Sequence, residues 1–153
     1  MHIFEQMATL KDIIDALRNA GVAVKPCSIK EVQELERHWS LKLPEVYKTF
    51  LYYCGHGAGE FMMGTDVFYP FLFGLTDGGN AFMKENDLPP LPENAFVFWM
   101  HQGYILAWFI CDGNDNPQVH FMAWTEGGIE QRSFDSLAGF LYPELIAAGI
   151  IKG

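Results

Sequence analysis

Histidines, cysteines and a few paired carboxylates are the side chains in this sequence that could take part in chemistry, and their spacing argues against most of it. The five histidines (His2, His38, His56, His101, His120) show no H-x3-H pattern, and Cys27, Cys54 and Cys111 show no C-x2-C, so no zinc-type ligand set is expected. Cys54 and His56 are neighbours, but two donors at i and i+2 do not make a metal site. As a nucleophile and base they lack a third, orienting group and an oxyanion loop, and Cys54 falls on the apolar stripe of a helix. Gly55-x-Gly57-x-Gly59 follows a helix, precedes a strand and has no Lys after it, the reverse of a phosphate-binding loop, so it reads as a tight turn. Asp112 and Asp115 flank a dense turn, Asp112-Gly113-Asn114-Asp115-Asn116-Pro117, in which Asp and Asn are favoured for local hydrogen bonding. That run lacks the terminal Glu of a 12-residue calcium loop. No catalytic residue, metal or cofactor is expected, and the chain reads as non-enzymatic.

The elements that would position any site are helical first and strand-like later. Leu10 to about Ala20 forms a helix with a capping-box-like pair, Thr9 and Asp12, and Gly21 as its stop. A second helix starts at Ser28, with Glu31 completing the capping box. Its apolar face holds Ile29, Val32, Leu35 and Trp39, with Lys30, Glu34 and Arg37 opposite. Pro44 stands at the first position of a third helix, whose buried stripe is Val46, Tyr47, Phe50, Leu51 and Cys54. Glu60–Met63 and Val67–Phe73 read as short strand-like segments, the latter edge-like because of Pro70. A short helix fits Asp77–Leu88. Phe96–His101 and Tyr104–Cys111 flank a two-residue turn, Gln102-Gly103. Gln118–Trp124 and Ile129–Arg132 supply two more strands, and Ser133 or Asp135 caps a last helix that Pro143 kinks.

At 153 residues, half of them hydrophobic and 19% charged, the chain fits one folded domain spanning 1–153. Helices, then an antiparallel meander, then a closing helix make an α+β domain: one antiparallel sheet of about five or six strands packed with about four helices. No apolar run reaches membrane-helix length, since Phe96–Ile110 is broken by His101, Gln102 and Gly103. Glu5 near the start and the lack of a basic segment do not read as a signal peptide, and three widely spaced cysteines suit a reducing compartment, so a cytoplasmic protein is expected. A formal charge of −9 disfavours direct nucleic-acid binding, and it either favours basic partners or serves solubility alone.

Glu36, Trp39, Leu43, Pro44, Tyr47, Phe50 and Leu51 spell E-x2-W-x3-LP-x2-Y-x2-FL. This pattern resembles the SUKH superfamily, which includes a fungal cell-wall glucan synthesis regulator and many bacterial immunity proteins. The Gly-rich turn follows in place, with Cys54-Gly55-His56-Gly57 where the family usually has Asn-Gly. Asp112-Gly113 after a hydrophobic strand and Ser133-Phe134-x2-Leu137 extend the likeness, which spans about Ile29 to Leu141. The motif residues themselves are core, cap and turn types. The resemblance implies a SUKH-like scaffold and a protein partner: a polymorphic toxin, often of nuclease type, that the chain would bind and block. A scaffold or regulator like the fungal relatives, and a small-molecule or carbohydrate binder stacking on Trp99, Trp108 or Trp124, are the alternatives. The expected state is a monomer or weak dimer.

With Gln102-Gly103 as the turn, His101 pairs with Tyr104, Trp99 with Leu106 and Val97 with Trp108. The pattern then leaves two readings. Either all the rings are core, or Trp99, Tyr104 and Trp108 form an aromatic platform rimmed by Glu60, Asp66 and Asp112, a composition suited to protein recognition.

Overall fold

A computed structural model of the chain describes residues 9–152; His2 and Glu5 lie outside them. Helix α1 (Leu10–Asn19) starts on a complete capping box, in which Thr9 Oγ1 accepts from the Asp12 amide at 3.2 Å and the Asp12 carboxylate accepts from the Thr9 amide at 3.0 Å. Leu10, Ile13, Ile14 and Leu17 form its buried stripe, and Gly21, at φ +72°, turns the chain out of it. Strand β1 (Val24–Lys25) follows, then α2 (Ile29–Trp39), whose Ser28/Glu31 capping box forms as the sequence predicts. Val32 and Leu35 face the core, whereas Ile29, placed on the same stripe by its spacing, is 66% exposed. Pro44 is the N-cap of α3 (Glu45–Cys54) rather than its first helical residue.

Strand β2 (Gly57–Ala58) pairs antiparallel with β1 as a separate ribbon. The two strands expected between residues 60 and 73 do not form. Turns occupy 59–64, with Met62 and Gly64 at positive φ, and Pro70 lies at the start of a 3-10 helix over Tyr69–Phe73. A proline presets the helical φ and lacks the ladder donor, which favours that helix over a strand. Helix α4 (Leu75–Glu85) then leads to the main sheet of β3 (Ala95–His101), β4 (Ile105–Ile110), β5 (Val119–Thr125) and β6 (Gly128–Phe134), an antiparallel meander in chain order. Helix α5 (Leu137–Ala147), with Pro143 inside it, closes the fold. Its cap is Ser136, whose Oγ accepts from the Gly139 amide at 3.0 Å, in place of the Ser133 or Asp135 expected. The architecture is α+β with five α-helices among the described residues. Its strands divide into sheets of two and four rather than one of five or six.

One residue changes the geometry of the sheet. The loop between β3 and β4 has three residues, Gln102 to Tyr104, so His101 pairs with Ile105 and Trp99 with Ala107, yet Val97 still pairs with Trp108. The extra residue is Phe98, a β-bulge. A bulge puts two residues opposite one and so reverses which face the chain presents beyond it. Across the sheet, Trp99, Ala107, Phe121 and Arg132 therefore share one face, and Val97, Trp108, His120 and Ser133 the other. Tyr47 of α3 and Phe140 of α5 pack on the first face, against Phe96, Phe98 and Phe109, and against Trp99, Phe121 and Phe134 respectively. Helix α4 lies against β3 on the second face, close enough that a Cβ on Gly79 would come within 2.8 Å of Val97 Cγ2. Thr76 Oγ1 of α4 also accepts from the Val97 amide at 3.0 Å, beside the bulge. Farther along this face Trp124, Gln131 and Ser133 are exposed.

Candidate functional site

The E-x2-W-x3-LP-x2-Y-x2-FL pattern is a structural joint. Glu36 Oε2 accepts from the Leu43 amide at 2.8 Å, fixing the α2–α3 turn, and Trp39 Nε1 donates to the Leu72 carbonyl at 3.0 Å, tying that turn to the 3-10 helix. Leu43, Tyr47, Phe50 and Leu51 are buried. Tyr47 sits among Phe50, Phe96, Phe98 and Phe109, and its hydroxyl finds no hydrogen-bond partner among the described residues.

The expected aromatic platform does not assemble as one surface. Trp99 and Trp108 are only 6% and 8% exposed, and the Phe98 bulge sends them to opposite faces. Trp99 packs on Phe140, and Trp108 on the His120 ring. Tyr104, in the loop itself, is exposed. Asp112 is exposed at the other end of β4, roughly 25 Å from Tyr104 at about 3.3 Å per extended residue, where its Oδ1 accepts from the Asn114 amide. Asp66, by contrast, is brought to the Tyr104 end. It exchanges two backbone hydrogen bonds with Met100, at 2.8 and 2.9 Å, which dock residues 60–66 on the edge of β3. Glu60 is exposed in the same segment.

That segment carries exposed apolar side chains. Phe61, Val67 and Leu72 anchor it inward, while Met63 (71% exposed) and Phe71 project outward. Met62, Met63, Asp66, Phe68 and Phe71, with Lys25 from β1, line a cleft of about 550 Å³. Side-chain and backbone contacts continue from the cleft to the sheet. Thr65 Oγ1 lies 3.1 Å from His101 Nδ1, His101 packs edge-on against the Tyr104 ring, and the Tyr104 carbonyl accepts from the Trp124 amide at 2.9 Å. Met63, Phe71, Tyr104 and Trp124 are four of the five exposed large hydrophobic residues described. The motif could not reveal this path, because it runs through turns and a loop with no periodicity.

A second grouping surrounds the Gly-rich turn. The β1–β2 pairing sets the residues after β1 beside those before β2: the Cys27 amide donates to the Leu51 carbonyl and the His56 amide to the Lys25 carbonyl, both at 2.8 Å. Glu31, at the third position of α2, reaches back to the same place. One of its oxygens accepts from the Ser28 amide at 2.8 Å, and the other lies 2.7 Å from His56 Nε2. Donor atoms of Cys27, Glu31 and His56 all fall within 4.8 Å of one another. Hydrogen bonding, from Ser28 first and also from His56, holds the Glu31 carboxyl below its usual range. Burial, reinforced by Glu31, pushes the Cys27 thiol up to about 12, and burial pushes Cys54 and Cys111 up to about 12 as well. The Cys54–His56 pairing considered from sequence is not made: Cys54, the last residue of α3, is fully buried, and Cys27 takes its place beside His56.

Two helices joined through the Glu36–Leu51 motif, ahead of an antiparallel meander and a closing helix, define a small α+β domain of the SUKH type. The chain belongs to the SMI1 / KNR4 family (SUKH-1), whose sequence profile matches residues 26–142. That family consists in general of non-catalytic domains of an immunity and regulator superfamily. Neither curated proteins nor solved structures give a match to the chain. Among the described residues, no helix is long and apolar enough to cross a membrane.

Proposed function

We propose that this domain acts by binding another protein, and that it is an immunity protein which occludes a basic toxin, of nuclease type in the first instance. The observation that carries the proposal is that Met63, Phe71, Tyr104 and Trp124 are exposed on segments linked through Thr65 and His101, on a chain of net charge −9. Exposed methionines and aromatics supply anchors for a protein interface, and Glu60 and Asp66 beside them supply carboxylates for a cationic partner. Trp99 and Trp108 lie beneath the surface as its support, and Asp112 acts only through the long-range field. Inhibition of this kind needs no chemistry; covering about 1,600 Å² in total is enough. A regulator of several proteins would use the same anchors, and a small ligand would use the cleft alone.

Co-expression with any toxic product of a gene adjacent to this one tests the reading. The wild-type chain should restore growth, Phe71→Ala and Trp124→Ala should each weaken the complex by at least about tenfold, a loss of ~1.4 kcal/mol, and association should slow as salt rises. Failure to rescue any adjacent toxin removes the immunity role. Rescue that is indifferent to both substitutions moves the interface elsewhere.

A further inference from the structure

We propose that Cys27, Glu31 and His56 form a site for a divalent cation of the zinc type, bound by the Cys27 sulfur, one Glu31 oxygen and His56 Nε2. The three donors come from separate segments, the stretch after β1, the first turn of α2 and the turn before β2, and backbone hydrogen bonds hold all three segments in place. Their donor atoms already lie within 4.8 Å of one another. Metal–ligand bonds of about 2.0–2.3 Å place the ligand atoms of a tetrahedral zinc roughly 3.3–3.6 Å apart. The 2.7 Å His56–Glu31 contact has to open by about half an ångström, and the sulfur has to close by about one, both within side-chain rotation.

The donor set selects the metal. Sulfur, imidazole nitrogen and one carboxylate suit zinc or cobalt, whereas calcium and magnesium take oxygen throughout. The outer contacts fit as well: the other Glu31 oxygen stays on the Ser28 amide at 2.8 Å, which orients the carboxylate. Gly55 leaves room for the sulfur, since a Cβ there would come within 2.2 Å of Cys27 Sγ. The Glu31 and His56 side chains are each about one-third exposed, so a fourth position opens to solvent. On binding, the thiol proton passes to solvent, the neutral imidazole shifts to the tautomer with its one proton on Nδ1 so that Nε2 is freed of the proton it donates to Glu31, and the His56–Glu31 hydrogen bond is exchanged for two bonds to the metal.

Titration of the full chain with Co(II), under a thiol-free reductant, reads the site directly. One equivalent should give thiolate-to-cobalt charge-transfer absorption and tetrahedral visible bands, and Zn(II) should displace both. Cys27→Ser should abolish the charge-transfer band, and Cys111→Ser should leave it intact. His56→Gln alters a partly exposed side chain and so reads on binding even where Cys27→Ser fails to fold. It should lose more than the ~10–100-fold in affinity that removal of an outer partner costs. The proposal is overturned by a wild-type chain with no charge-transfer band, by a band that survives Cys27→Ser, or by His56→Gln binding as tightly as wild type.

Discussion

Replacing Tyr47 with Phe should make this protein more stable, although Tyr47 is part of the motif that marks its family. Its ring is fully buried among Phe50, Phe96, Phe98 and Phe109, and its hydroxyl has no hydrogen-bond partner among the described residues. Burial also drives the phenol well above its usual range, so the group in question is a neutral hydroxyl. Leaving such a group dry and unpaired costs about 1–3 kcal/mol. The Phe variant removes that cost and leaves a hydroxyl-sized void of roughly 10 Å³, worth about 0.2 kcal/mol at ~24 cal/mol per Å³. The net expectation is a gain of about 1–2 kcal/mol, or roughly 2–8 °C in melting temperature for a domain of this size. Chemical denaturation of wild type, Tyr47→Phe and Tyr47→Ala measures it. The Ala variant loses the ring contacts and should fall by about 3–5 kcal/mol, so the two variants separate hydroxyl from ring. A Tyr47→Phe protein that is less stable than wild type by about 1 kcal/mol or more would refute the reasoning, because it would mean the hydroxyl is satisfied.

Two further outcomes follow from the packing and the caps. Gly78→Ala and Gly79→Ala both bring the ~1 kcal/mol helix preference of Ala over Gly, but a Cβ at 78 meets only the end of the flexible Met100 side chain at 3.3 Å. At 79 it meets Val97 Cγ2 at 2.8 Å and Leu91 Cδ1 at 3.0 Å. Overpacking against a stiff, β-branched neighbour costs about 1–3 kcal/mol, so Gly78→Ala should melt higher than wild type and Gly79→Ala lower. Glu31→Ala should cost about 1–2 kcal/mol at neutral pH through the lost charge-assisted bond to Ser28. Because folding lowers the Glu31 pKa, this stabilisation is present above the unfolded value near 4.3 and is lost as pH falls through the folded one. The gap between the two proteins, followed by denaturation at several pH values, should therefore close below about pH 4.

Local chemistry was legible and long-range geometry was not. Thr9/Asp12 and Ser28/Glu31 each satisfy their amides within three residues, so sequence alone reveals them. The Phe98 bulge left no mark, because β3 is apolar on both faces and no alternation survives to betray an inserted residue. That single miss produced the platform of Trp99 and Trp108. Residues 60–73 misled for a related reason: an apolar run with glycines reads as strand until Pro70 is seen to open a 3-10 helix. Cys27 and His56 are 29 positions apart, and only the β1–β2 ribbon joins them.

The bulge also gives β3 one place where its length can change without exchanging core and surface. Residues before Phe98 and those after it are assigned to faces by opposite parity. A chain lacking Phe98 would keep Val97 opposite Trp108 and Trp99 opposite Ala107 in an unbulged ladder, so every other residue of β3 would hold its face. Relatives of this protein could thus shed this residue by a single-codon deletion without exchanging core for surface, giving up only the contacts of Phe98 with Tyr47, Phe109 and Phe140.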